Sequence, residues 1–325
     1  MSLSKNMFIY MVFFCFFITN KIYAKYIFVS NENSDTVTVL DVESKKLIKS
    51  IETGGRPRDM KFNKEQSLLY VVVSEENHIA VIDINKLEII HYIATGDDPE
   101  IFDIDPDGNI IAVSNEDDNE LTLIDIKTKK IIKTIEDVGV EPEGVNFSPD
   151  GKFVYVTSEG TNSVIIIDPW KHKIVNEILV GNRPRRGLFI KNGEEYWVSN
   201  ELSGNVSIID TKTQKIIKNL DFELKGIRKQ NITPVDFAYS QRKGIVFVTL
   251  GSANHVAVVE IEGYKVKKNI LTGARVWGAA LNSNATELIV TNGNSDDISV
   301  IDVDRLVSNL AIPVGKTPHT IRIMN

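Results

Sequence analysis

Seven times along the chain an apolar stretch runs into an acidic residue: VTVLD at Asp41, IAVID at Asp83, LTLID at Asp125, VIIID at Asp168, VSIID at Asp210, VAVVE at Glu260 and ISVID at Asp302. The intervals between these acids are 42, 42, 43, 42, 50 and 42 residues. A fixed period of this size, with short strands inside each unit, predicts an all-β fold, a seven-bladed β-propeller. Residues 102–139 show the unit: FDID, a PDG turn, NIIAVSN, the loop EDDNE, LTLID, the turn IKTKK and IIKTIEDVG. That is four short antiparallel strands separated by turn residues. In the turns Pro106-Asp107-Gly108 and Pro149-Asp150-Gly151, proline presets φ and glycine tolerates a reversed one.

The third strand of each unit predicts radial stacking. Two and four residues before the terminal acid stand large apolar residues, such as Val39 and Val37 or Ile208 and Val206. Between them stand mostly small ones: Thr38, Ala80, Thr122, Ile165, Ser207, Ala257 and Ser299. Successive side chains point to opposite faces, so one face is bulky and the other lean, as in a sheet lying between two neighbours. After residue 24 the chain opens on YIFVSN, a second strand, and it stops at HTIRIMN, a first strand. The C-terminal strand is therefore expected to complete the N-terminal blade and close the ring, which removes two exposed edges.

Residues 1–24 read as a secretory signal: Lys5, an apolar run from Met7 to Ile18, and a cleavage site after Ala24. The expected organisation is a removed leader, 1–24, and one propeller domain, 25–325, located in the periplasm. Without Lys5 and Lys21 the basic count falls from 37 to 35 against 44 acids, a formal charge of −9. Such a balance opposes nucleic acid and anionic lipid as partners. Cys15 is the single cysteine and lies in the leader, so disulfides, thiolate metal sites and thioether haem attachment are excluded from the mature chain.

Several motifs carry a resemblance. Ile-Phe-Val-Ser-Asn (27–31), Trp-Val-Ser-Asn (197–200) and Ile-Val-Thr-Asn (289–292) resemble the YVTN propeller repeat over nearly all of residues 25–325. Asp98-Pro99-Glu100, Glu141-Pro142-Glu143-Gly144, Arg183-Pro184-Arg185, Leu250-Gly251-Ser252-Ala253-Asn254 and Arg275-Val276-Trp277 are similar to segments of exported propellers associated with pyrroloquinoline-quinone-dependent alcohol catabolism. That resemblance implies a place beside a periplasmic quinoprotein system more than it implies a reaction.

Candidate chemistry follows from the links between blades, which run G-x-x-P into the next first strand. The residue after each proline position is Arg58, Glu100, Glu143, Arg185, Val235, Trp277 and His319. With first strands innermost, these seven ring the mouth of the central channel, flanked by Arg56, Asp98, Glu141, Arg183 and Arg275. Read as a ligand site, Arg58, Arg183, Arg185 and Arg275 fork onto carboxylates and Trp277 stacks on a flat group, with Glu100, Glu143 and His319 beside them. Read as plain structure, Arg58–Glu100 and Glu143–Arg185 pair across blades in solvent, each worth at most about 1 kcal/mol. On either reading the mouth faces water, and Trp277→Ala or Arg185→Glu is expected to spare the fold. The long interval places an insertion at residues 221–233, read either as a flap over the apolar arc or as a tolerated surface loop.

No cofactor is expected. The oxygen-rich turns 115–119 and 294–297 are candidates for a divalent cation such as Ca²⁺, although neither has EF-hand spacing. His319 is the one histidine placed for a haem. No nucleophile elbow or phosphate loop appears. The function expected is a non-enzymatic exported binding or scaffold protein, facing a protein partner or a small anion. The alternatives are a metal-dependent lactonase and a cofactor-carrying redox subunit.

Overall fold

The computed structural model describes residues 25–324, so the expected leader lies outside the described residues. The recurring acid explains itself first. It ends the third strand, and its carboxylate caps the hairpin into the fourth. Asp41 Oδ1 accepts from the Ser44 amide and hydroxyl, both at 2.7 Å, and Asp125 and Asp210 repeat this with Thr128 and Thr213. Four residues beyond the acid the backbone is left-handed, at Lys45, Leu87, Lys129, His172, Gln214, Tyr264 and Leu306. The carboxylate anchors a turn whose last residue is strained, and so the spacing cannot drift.

Seven four-stranded antiparallel sheets result. Six are sequential, and the seventh is made of Pro318–Ile323, Tyr26–Asn31, Thr36–Asp41 and Leu47–Glu52 in that order. Ile27 pairs with Ile323 and Val29 with Ile321, so the expected closure holds. Apolar clusters sit between neighbouring sheets: Phe28, Val37 and Val39 of the first blade pack on Met60, Val71 and Ile82 of the second. Most of the large apolar side chains left exposed are on the fourth strands, at the rim, Leu47, Leu179 and Leu271 among them; Val140, Trp170 and Leu202 lie in loops. No described helix is long and apolar enough to cross a membrane.

A hydroxyl on each of five second strands latches the next blade. Ser30, Ser114, Thr157, Ser199 and Thr291 donate to the carbonyls of Arg58, Glu143, Arg185, Val235 and His319 at 2.6–2.8 Å. Buried asparagines do the same for the link glycines. Asn31 Oδ1 accepts the Gly315 amide and Asn115 Oδ1 the Gly96 amide, both at 3.1 Å. A Cβ on Gly96 would stand 2.7 Å from Asn115 Cγ, which is why the link begins with glycine.

The insertion is pinned at its two ends. Phe222 and Ile232 are buried against Trp197 and Leu250 between the fifth and sixth blades, while Glu223, Lys225, Arg228 and Lys229 between them stay in solvent, Lys229 paired with Asp221 at 3.0 Å.

Candidate functional site

Three local devices deliver the ring. The first is an Asx cap: Asp35, Asn77, Asn119, Asn162, Asn254 and Asp296 each accept, through a side-chain oxygen, the amide of the residue before the next proline position. The second is backbone: those capped residues, Arg56, Asp98, Glu141, Arg183, Arg275 and Thr317, all have φ between 47° and 60°. The third is a β-bulge. In six first strands the register slips by one residue just past the proline position, for example between Pro57↔Val73 and Met60↔Val71. A bulge lets two consecutive residues point the same way. Arg58 and Asp59, and likewise Arg185 and Arg186, thus both reach the channel.

The post-proline side chains do converge, but not at a solvated mouth. Arg58, Glu100, Glu143 and Arg185 are 5%, 0%, 1% and 6% exposed, and His319 is 1% exposed. This corrects the expectation that they face water. Arg58 Nη2 lies 2.6 Å from Glu100 and 3.7 Å from Glu143, and Arg185 Nη2 lies 3.0 Å from Glu143. The cross-blade pairing is present, but it is buried rather than solvent-screened. Val235 is buried as well, completing the ring.

A second set of acids completes the network, and of these the sequence pointed only to Glu116, within the turn 115–119. Glu32, Glu116, Glu159 and Glu201 each stand nine residues before a strand-ending acid, directly after the second strand. Arg58 Nε lies 3.3 Å from Glu32, Arg183 Nε 2.6 Å from Glu159, and Arg275 Nη2 2.8 Å from Glu201. Arg185 also donates to Glu159. Arg56 bridges Asp98 at 3.2 Å and Glu100 at 3.0 Å. Ser74, Gly251 and Gly293 replace the acid in the other three blades, so the signal was a position counted from the anchor.

Seven carboxylates here meet five guanidiniums, and the surplus acid shows in the titration directions. Burial pushes Glu100 well above the usual carboxylate range, Arg58 offsetting only part of this while Glu143 and Glu116 add to it. Glu116 is raised for the same reasons, burial first and the Glu143 charge next. Glu143 goes the other way: burial opposes its charge, but Arg185, Arg58, Arg186 and Arg183 together outweigh burial and hold it low. His319 is depressed far below its usual value by burial and by the surrounding arginines, so its imidazole is neutral.

On the other arc Trp277 lies between two cations. The guanidinium carbons of Arg275 and Arg185 are 5.4 and 5.8 Å from its ring, and His319 meets it edge-on at 4.7 Å. Its Nε1–H is buried with no hydrogen-bond partner among the described residues. In the turns proposed for a cation, Asp118 accepts the Asp97 amide and Asp296 the Thr317 amide. Glu116 comes within carboxylate range of Asp98 and Glu100, yet Glu100 is already committed to Arg56 and Arg58.

Below this network, on its far side from the links, the channel opens into a cavity of about 210 Å³ lined by first-strand residues of all seven blades. Asp59, Arg186 and Asp236, each two residues past a proline, face it together with Lys61 and Arg322. None of them was singled out from the sequence, because nothing in the residues themselves marks the bulge.

Solved structures share the architecture at low identity. A functionally unknown protein from Desulfotomaculum acetoxidans superposes with a TM-score of 0.79 at 16% identity, covering 93% of this chain and 99% of that one. The periplasmic gluconolactonase of Pseudomonas aeruginosa gives 0.77 at 15%, covering 93% and 99%. A dihydro-heme d1 dehydrogenase gives 0.69 at 14%, covering 91% and 74%. These likenesses establish the fold alone. No curated protein matches the chain. A YNCE-like β-propeller family matches residues 17–147, and the family described as the cytochrome D1 heme domain matches residues 104–325. With two thirds of its length so matched, on a ring of seven four-stranded blades, the chain belongs to the cytochrome D1 heme domain family of β-propellers.

Proposed function

We propose that the protein is an exported, non-enzymatic binding propeller, accessory to a periplasmic quinoprotein alcohol oxidation system, which it meets through the link face. One observation carries this reading: the charged ring is spent on itself. Arg58, Glu100, Glu143 and Arg185 form ion pairs with one another out of contact with water, so no base or nucleophile there is free to meet a substrate. What remains available on that face is shallow. Arg183 and Arg275 keep 45% and 28% of their side chains exposed, Arg275 over Trp277, each above a buried glutamate, Glu159 or Glu201. Rigid links present these groups at fixed positions, an arrangement suited to a protein surface of complementary charge. The pathway assignment rests on the motif resemblance.

A haem, which the family name suggests, fits poorly. Its iron needs an axial donor with open space beside it. His319 is buried, blocked by Trp277, and has Thr320 Oγ1 at 3.1 Å from Nδ1. The side chains around the lower cavity include no His, Cys, Met or Tyr.

The test pairs the purified mature chain with a purified quinoprotein alcohol dehydrogenase in a calorimeter. Binding is expected, and the double substitution Arg183→Glu with Arg275→Glu is expected to weaken it at least about tenfold. Unchanged affinity in that variant would move the contact elsewhere. Hydrolysis of gluconolactone by the purified protein would replace the reading with an enzymatic one.

A further inference from the structure

The lower cavity differs from the ring above it in what its charges have left to do. Arg186 is 7% exposed; its Nη2 donates to Thr320 Oγ1 at 3.1 Å, but Nη1 stands 3.6 Å from Asp59 and Nε has no partner among the described residues. Asp236, from the next blade and 8% exposed, accepts the amides of Phe237 at 2.8 Å and Ala279 at 3.1 Å. No described cation lies within ion-pair distance of it. Every other charge at this level is paired: Arg322 holds Asp59 at 2.8 Å and Lys61 holds Asp103 at 2.8 Å. The buried Asp236 carboxylate thus has amide donors but no cation, and the buried Arg186 guanidinium has one hydrogen bond and a long ion pair, at the wall of one cavity. Buried charges are kept only when something compensates them.

The volume selects the size of that compensation. About 210 Å³ far exceeds the roughly 15 Å³ one water needs, and falls short of the roughly 300 Å³ at which drug-sized sites begin. The charge balance selects the type. Lys61, Arg186 and Arg322 offset Asp59, Asp103 and Asp236, so the site is neutral as a whole and a net anion or cation would unbalance it. From these observations we propose that the cavity at the turn end of the channel binds a small zwitterion of the amino-acid type, its carboxylate on Arg186 and its ammonium on Asp236. Entry is past Lys61 and Arg322, whose side chains keep 24% and 22% exposure. This site is separate from the link face and does not depend on the partner proposed there.

Calorimetric titration of the whole mature protein with glycine, L-alanine, acetate and methylamine tests it. Glycine or L-alanine is expected to bind at least about tenfold more tightly than acetate or methylamine, each of which carries half of the charge pattern. Arg186→Gln and Asp236→Asn are each expected to remove that preference. Ile101→Trp, which keeps both charges and fills the cavity, is expected to abolish binding while the melting transition stays cooperative. Lys152→Gln, on an exposed turn, is expected to leave binding unchanged. Acetate matching glycine, absence of heat with every probe, or intact glycine binding in folded Ile101→Trp overturns the proposal.

Discussion

The two ends of the channel are built from the same residue types on the same seven strands, yet they hold charge differently. At the link end Arg56, Arg58, Arg183 and Arg185 each touch two or three carboxylates and Arg275 touches one, and burial is offset within the protein. At the turn end Arg186 and Asp236 share a cavity without touching. The difference comes from one residue of register. The bulge turns the first post-proline side chain toward the glutamates that follow the second strands, and the second toward a level where no such glutamates exist. A charge in this propeller is structural or available according to which of two adjacent positions it occupies.

Removing both levels at once gives the largest effect. Deletion of residues 318–325 takes away His319, Thr320 and Arg322 and leaves Tyr26–Asn31 as an open edge; loss of cooperative unfolding by calorimetry is expected, and an unchanged transition would refute closure. Next, Arg185→Ala leaves Glu143 in a dry site with only Arg58, 3.7 Å away. Breaking a buried pair costs about 3–5 kcal/mol, so the melting temperature should fall on the order of 10 °C. This reverses the expectation that Arg185 could be changed freely. Arg186→Ala should cost clearly less, because Arg322 still holds Asp59. Equal losses would erase the contrast between the two ends.

Acid titration sharpens it further. Glu143 titrates below its ordinary 4.5, so its ionised form stabilises the fold fully above pH 4.5, and that contribution is lost as pH falls through the depressed value. Glu100 has the opposite sign: raised above 4.5, its ionisation is disfavoured in the fold, and stability drains as pH climbs from 4.5 toward the raised value. Urea denaturation should therefore show Glu143→Gln losing most at pH 7 and progressively less as pH falls below 4.5. Glu100→Gln should look better relative to the parent at pH 7 than at pH 4. Parallel behaviour of the two would show that they do not divide the proton as described.

Blade number, closure and the identity of the post-proline ring were all legible, because they depend on a capped turn that recurs at fixed spacing. The burial of that ring was not. Arginine and glutamate are ordinarily solvated, and nothing local to Arg58 or Glu100 announces that partners 26 to 85 residues away will enclose them. Glu32, Glu116, Glu159 and Glu201 could have been found by counting nine back from each anchor acid. The Asp59–Arg186–Asp236 level could not, since a bulge is a property of paired strands and leaves no mark in one strand alone. The charged residues of the 221–233 insertion lie outside as read, but the burial of Phe222 and Ile232 between two blades could not be seen in the insertion alone.

The smallest effect is the cleanest control, because it changes burial and little else. Arg183 and Arg185 both contact Glu159 and Glu201, from positions two residues apart on the same link. Arg183 keeps 45% of its side chain exposed and Arg185 keeps 8%. Water can replace what Arg183→Gln removes, so the expected loss is at most about 1 kcal/mol at low salt. It should shrink further in 0.5 M (roughly) sodium chloride, where screening acts over only a few ångströms. Arg185→Gln should keep its larger cost in the same salt, since ions do not reach it. If added salt reduces both losses in proportion, the ring is solvated after all, and the argument from burial that separates the two ends of the channel fails.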